Sequence, residues 1–207
     1  MKSNSNISST RERLRSFRAR NLEYMKAGYD RIAAARQVVE FAGKLEGPVL
    51  DVGTGKGLFA IELAKTGVEV ISVDVNDQEI DLADLLARKA GVRNKVQFIH
   101  ADASSLPWTD GFYGSVAMMD VVHHMDRPRP VLMEMTRVLA EGGSMVIADF
   151  NESGFALVDR VHRERGQHHP RSTASVALAR DELLSEGLQL VKQASKCFHD
   201  IAILRKE

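Results

Sequence analysis

From Val49 to Phe150 the chain switches repeatedly between two hydrophobic periods. Short apolar runs rich in β-branched residues occupy 49–52, 68–73, 95–99, 115–120 and 144–149. Between them lie longer stretches, about 57–65, 77–89 and 128–139, where apolar residues return every three or four positions. The short runs predict strands and the longer ones helices. In the 128–139 segment Val131, Leu132, Met135, Val138 and Leu139 share one side, and Gly91 closes the 77–89 helix as a C-terminal glycine. Such alternation predicts an α/β fold: a parallel sheet with helices on both faces. Right-handed crossovers and a reversal of strand order put a ligand crevice at the carboxyl ends of strands one and two.

The flanks read differently. Residues 1–10 are Ser/Asn-rich and are expected to be disordered. From 11 to 43 the spacing of Leu22, Met25, Tyr29, Ile32 and Val39 predicts helix, divided at Ala27-Gly28, with Asp30 capping the second half. Gly47-Pro48 then punctuates the chain. After helices near 154–165 and 175–186 come two strand-like runs, Leu188–Ala194 and Cys197–Leu204, with only Ser195-Lys196 between them. Two residues cannot make a parallel crossover, so the pair must be an antiparallel hairpin, and the sheet should end with one reversed strand. The expected organisation is a helical appendage over 1–44 and a single domain over 45–207.

Composition narrows the classes. At 207 residues and 44% apolar content the chain can bury one ordinary core. No apolar run approaches the ~20 residues of a membrane span, and the polar start carries no secretory signal pattern. The single cysteine, Cys197, excludes an internal disulfide, fits a reducing, cytoplasmic setting, and reads as a small apolar filler in a late strand. The formal net charge is zero, yet residues 1–44 hold ten Lys/Arg against four Asp/Glu. That basic arm would meet an anionic substrate, an RNA or a neighbouring subunit, or form a solvated helix face. Phe17 stands alone among its arginines, so there is no stacking platform for bases.

The most specific chemistry lies at the first strand–helix junction, Val49-Leu-Asp-Val-Gly-Thr-Gly-Lys-Gly57. Glycines there let the chain turn tightly and let a ligand touch bare backbone. Gly53, Gly55 and Gly57 fall as G-x-G-x-G, whereas the dinucleotide fingerprint G-x-G-x-x-G would need a glycine where Leu58 stands. Asp51, two residues before the first glycine, would repel a pyrophosphate at close range. Asp74 ends the second strand, placed to accept from both hydroxyls of a ribose. A phosphate-free cation carrying adenosine fits both features, and S-adenosylmethionine is such a ligand. Asp102 and Asp120 close the third and fourth strands, so the acids converge on one edge. Each could instead serve only as a helix cap or turn residue.

Four segments in order resemble the class I S-adenosylmethionine-dependent methyltransferase family, in its small-molecule branch known as methyltransferase domain 11. They are Leu50–Gly57, Val73–Asn76, Ala101–Ala103 with Leu106-Pro107-Trp108, and Asp120–Met125 with Arg137–Gly143. The resemblance implies a Rossmann-like doubly wound sheet of seven strands, the last antiparallel, with an N-terminal helical lid. It implies that Gly53, Thr54 and Gly55 meet the methionine portion of the cofactor, that Asp51 orients the turn and favours the cofactor's amino group, and that Asp74 and Val75 meet the ribose. Asp102 would accept from the adenine amine with Ala103 against the ring, and Asp120 would sit beneath the methionine portion.

The sulfonium methyl is already activated, so alignment with a nucleophile supplies much of the catalysis, and a base is needed only for a protonated acceptor. His123 and His124 follow the fourth strand and are the candidate bases, although such a pair can also simply pack. The segment Val161–Arg171 adds His162, His168 and His169. Its His spacing matches no ordered metal motif, so no metal is expected and a basic loop or solvated turn is favoured. Tyr24 and Tyr29 would point at the methyl group or pack as core aromatics. No Asn-Pro-Pro-aromatic tetrapeptide marks base methylation. The expected activity is methyl transfer to a small-molecule acceptor. The alternatives are an RNA or protein methyltransferase docking through the basic arm, and a non-catalytic cofactor-binding protein on the same fold.

Overall fold

The computed structural model describes the backbone of residues 4–207, with side chains from Arg11 onward. Helix α1 (Asn4–Lys26) and α2 (Arg31–Ala42) precede β1 (Val49–Val52), α3 (Leu58–Lys65), β2 (Val70–Asp74), α4 (Asp77–Lys89) and β3 (Val96–His100). Then come β4 (Tyr113–Met119), α5 (Arg129–Val138), β5 (Leu139–Phe150), α6 (Glu152–Arg163), α7 (Val176–Ser185), β6 (Gln189–Lys196) and β7 (His199–Arg205). The expected disordered start falls partly outside the described residues, and its remainder, from Asn4, belongs to α1.

Among the described residues seven strands form one sheet in the order β3-β2-β1-β4-β5-β7-β6. Strands β1 to β5 are parallel, and β7 runs antiparallel to both β5 and β6. The reversed strand therefore lies inside the sheet and β6 is the edge. The strand period of two divides the core cleanly. On β5, Val146 and Ala148 face one hydrophobic cluster while Met145 and Ile147 face the other; on β7, Ile201 and Ile203 alternate with Ala202 and Leu204. The first cluster takes in α2, α3 and α6 through Val38, Leu63 and Val158, and the second α5 and α7 through Leu132, Met135 and Leu183. The same cluster holds both α2 and β1, so the core runs on across residue 44.

The sequence reading needs two corrections here. In the first helix Leu22 and Met25 are 53% and 56% exposed, and Ile32 of α2 is also exposed. Leu14 and Phe17 are the buried pair, packed against Leu82 of α4. Helical spacing alone does not say which side faces protein. The terminal turn is Cys197-Phe198 rather than Ser195-Lys196. Both residues have positive φ, 52° and 70°, as a two-residue hairpin turn demands. Cys197 is accordingly exposed, with its thiol on Gln37, and is no core filler. The order of strands reverses between β1 and β4, and the carboxyl ends of β1 and β2 lie beside that switch point as expected.

Candidate active site

The carboxyl ends of β1 to β4 open into a cavity of ≈ 700 Å³, within the range of small-molecule sites. Its wall takes Gly53, Thr54 and Gly55 from the turn after β1 and Asp74 and Val75 from the end of β2. Asp102 and Ala103 come from the loop after β3, and Asp120, His123 and His124 from the segment after β4.

Backbone sterics shape the first turn. Gly53 has φ +81°, and a Cβ there would lie 2.4 Å from Val121 Cγ2. At Gly55 the space a Cβ would fill is open, with only Gly53 O at 4.0 Å. A ligand can therefore rest on the Gly55 backbone. Asp74 braces this turn: Oδ2 accepts from Gly55 N at 2.7 Å and Oδ1 from Asn76 N at 2.9 Å. Each oxygen keeps a lone pair for a further donor. Val75, beside it, is 64% exposed, an uncovered apolar surface on the cavity wall.

Asp51 lies beneath the turn rather than on the cavity wall. It is 2% exposed and is not among the cavity-lining residues. It pairs in register with Ser72, whose Oγ donates to it at 2.6 Å, and Ser72 in turn meets Thr54 Oγ1 at 2.5 Å. Burial pushes the Asp51 carboxyl up to about 7, against the Ser72 hydrogen bond and with help from nearby Asp74. It supports the turn from beneath.

The other acids are differently held. Asp102 is exposed and accepts from Ser104 N and Oγ, both at 2.8 Å, which holds its carboxyl below the usual range. Its loop is strapped to α5 by Arg137, which donates to Glu134, Asp110 and the carbonyls of Leu106 and Trp108. Trp108 itself packs edge-on against Tyr113. Asp120 has φ 60°, a left-handed conformation uncommon outside glycine. His199 Nε2 lies 2.8 Å from Asp120 Oδ1. Burial alone would push Asp120 up, but the His199 charge and hydrogen bond hold it below the usual range. Burial would likewise pull His199 down, and Asp120 raises it instead. The two shifts agree on an ion pair.

Histidines gather at the far end of the cavity. His123 is 1% exposed; its Nδ1 lies 2.6 Å from Asp149 Oδ1, and its backbone N–H donates to Asp149 Oδ2 at 2.9 Å. With the Asp149 carboxylate accepting, Nδ1 is the donor of that contact. Nε2 is buried with no hydrogen-bond partner among the described residues. His124 and His169 stand beside it, with ring centroids 3.9 Å and 5.1 Å away. Burial, then the charge of His123, lower His124, while burial and the surrounding imidazoles push His169 down to about 4. His162 also lines the cavity, held by Tyr24 Oη at 3.0 Å, whereas His168 is exposed and outside the cavity lining.

The roof comes from the N-terminal helices. Helix α1 grips α4 through Leu14, Phe17 and Leu82, and grips the α6 end through Tyr24–His162 and the Arg165–Glu23 ion pair at 2.6 Å. Arg20, Tyr24 and Arg31 face the cavity. Tyr29 is core, 2% exposed among Phe150, Phe198 and His199.

Sequence reasoning did not single out Asp149, His199, Arg20 or Arg31. Asp149 stands near the carboxyl end of β5, so the rule that found the other strand-end acids would also have found it. His199 arrives from the terminal hairpin, 79 residues after its partner, and no local signal marks it.

Residues 50–147 match the family model described as a methyltransferase domain. The chain is 32% identical over 130 residues to a demethylmenaquinone methyltransferase of Clavibacter sepedonicus, covering 63% of this chain and 51% of that protein. It is 34% identical over 103 residues to the 27-O-demethylrifamycin SV methyltransferase of Amycolatopsis mediterranei, covering 49% and 38%. The chain thus spans about half the length of these curated relatives, or less. Its fold is shared by a crystal structure of a SAM-dependent methyltransferase from Aquifex aeolicus, with TM-score 0.64, 21% identity and coverage of 82% and 88%. Over residues 50–147, just under half of its length, the chain is thus similar to methyltransferase domains, and its fold is that of a solved SAM-dependent methyltransferase.

Proposed function

We propose that this chain transfers the methyl group of S-adenosylmethionine to a small-molecule acceptor. One observation carries the reading: a bare glycine turn braced by Asp74 shares a roofed cavity with Asp102, Asp120 and a histidine cluster, and Leu58 stands where the dinucleotide fingerprint needs glycine. The residues fit the cofactor. The open face of Gly55 admits close approach, Asp74 has lone pairs left for ribose hydroxyls, and Asp102 with Ala103 and Val75 suits a purine edge and face. Asp120, with one oxygen on His199, lines the cavity where the other can accept from the cofactor's amino group. When bound, the cofactor supplies an electrophilic methyl on sulfonium.

The chain's own residues then position and enclose. Helix α1 excludes water from above, and Arg20 and Arg31 offer fixed cations to an acidic acceptor. His124 opens onto the cavity beside the buried His123–Asp149 pair, placed to activate an acceptor O–H or S–H.

Calorimetric titration with S-adenosylmethionine and its demethylated product tests the cofactor assignment. Asp74→Ala removes the ribose acceptor and frees the Gly55 turn, and should weaken both ligands by about 1–3 kcal/mol. Unchanged affinity would refute the ribose role. An acceptor screen that follows product formation then separates an enzyme from a non-catalytic binder.

A second reading has its own support. Arg11, Arg15 and Arg18 are exposed on α1 at spacings that put them on one side. That stripe suits a polyanionic acceptor such as RNA. Under this reading RNA binding would weaken steeply with salt, and substituting the three arginines by Gln would flatten the salt slope. On the small-molecule reading the chain should show no RNA binding above about 100 mM salt.

A further inference from the structure

We propose that His123, His124 and His169 form a three-imidazole site for a divalent transition metal, with zinc as the natural occupant, at the acceptor end of the cavity. The three side chains each offer a ligand nitrogen, and these nitrogens lie within 4.8 Å of one another. They come from two segments that the fold brings together: the turn after β4 and the loop between α6 and α7. That loop is tied down beside the pair, with Ser172 N donating to His123 O at 2.7 Å.

Three further features point to a ligand. First, His123 Nε2 is buried and unpartnered among the described residues, a costly arrangement for a polar atom unless something occupies the space before it. Second, His123 Nδ1 is held by Asp149 at 2.6 Å, and Asp149 is 2% exposed and also accepts from Phe150 N at 2.7 Å. A carboxylate on the far nitrogen is how proteins orient a metal-bound imidazole and strengthen its basicity. Third, His169 carries the same signature more weakly: its Nδ1 lies 3.7 Å from Asp159 Oδ1 without a hydrogen bond. Nitrogen ligands at about 2.0–2.1 Å from a tetrahedral ion sit about 3.3 Å apart, so binding must draw the rings inward. His124, opening onto the cavity, can turn for this.

Three imidazoles suit zinc, copper, nickel or iron rather than calcium or magnesium, which favour oxygen. Three protein ligands on a tetrahedral ion leave a fourth position open, the pattern of catalytic rather than structural sites. Here the three side chains line the same cavity as Asp120. A metal at this place would lower the pKa of a hydroxyl or thiol that reached it. The proposal thus deepens the methyl-transfer reading, on which its consequence for the acceptor rests, by naming the acceptor as a molecule with an ionisable O–H or S–H.

The test is metal binding, read independently of turnover. The full chain is stripped with a chelator, dialysed, and titrated with Co(II), whose visible absorption reports tetrahedral nitrogen ligation. Zn(II) affinity follows by competition. One equivalent per chain is expected. His169→Ala should lower Zn(II) affinity at least 100-fold, and Asp149→Asn about 10–100-fold. His168→Ala, at the exposed neighbour, should change nothing. Binding of the demethylated cofactor product, measured on the same samples, reports on folding and on the methyl-transfer reading separately. Metal binding without cofactor binding would leave the site standing and sink the function. Cofactor binding with no Co(II) spectrum, or equal losses in His168→Ala and His169→Ala, would overturn the site.

Discussion

Gly53→Val is expected to abolish cofactor retention and to destabilise the chain by about 2–5 kcal/mol. Two independent costs add. The position has φ +81°, where a side chain pays about 1–2 kcal/mol. The new Cβ would also meet Val121 Cγ2 at 2.4 Å, a contact that must push the turn and the segment after β4 apart, for about 1–3 kcal/mol. Both moved pieces carry cavity residues, so binding should fail with stability. Urea unfolding and a calorimetric titration with S-adenosylmethionine measure the two effects. Gly67→Ala is the matched control: its φ is +97° but nothing lies within 4 Å of the added Cβ. It should lose only the conformational part and bind normally. If the two variants unfold alike, crowding against Val121 is not what demands glycine at 53.

Asp51→Asn is expected to stabilise the chain at neutral and alkaline pH, by up to about 4 kcal/mol. The carboxyl is pushed from 3.8 to about 7 by burial. Because its folded pKa lies above the unfolded one, its favourable contribution is complete below about pH 4 and is lost as pH rises through about 7. At pH 8 the folded chain must ionise a buried group that the unfolded chain ionises freely. Asparagine removes that penalty while its carbonyl still accepts from Ser72 Oγ. Thermal unfolding of both proteins from pH 4 to pH 8 should show curves that are close at the acid end and diverge upward. Parallel curves would mean that Asp51 is ionised throughout. The same carboxyl links to function. A cation bound above the turn favours its ionised form, so cofactor binding near pH 7 should release a fraction of a proton in the parent and none in the variant.

Much of the molecule was legible in the chain because its rules are local. The alternation of periods gave the elements, since burial on both faces of β1 and on one side of α5 leaves a direct trace in residue order. The glycine turn and Asp74 were readable because both sides of the Gly55–Asp74 contact are set by consecutive strands in fixed register. The short Ser195-Lys196 spacer predicted a hairpin, though the turn itself slid two residues on.

Other features were not readable, and each has a physical cause. Which side of α1 is buried depends on α4, so Leu22 and Met25 looked like core and are exposed. The burial of Asp51 depends on cover over both faces of β1, and its carboxyl turns to Ser72. His169 looked like part of a solvated loop until that loop was found anchored on His123. The sequence by itself determined the order of strands and helices, the glycine turn and the strand-end acids, because those depend on neighbours a few residues apart. Only the tertiary structure decided the Asp120–His199 ion pair, the His123–Asp149 bond and the meeting of three imidazoles. Those contacts join segments 26 to 79 residues apart, whose approach is set by sheet order and helix packing and by no pattern within either segment.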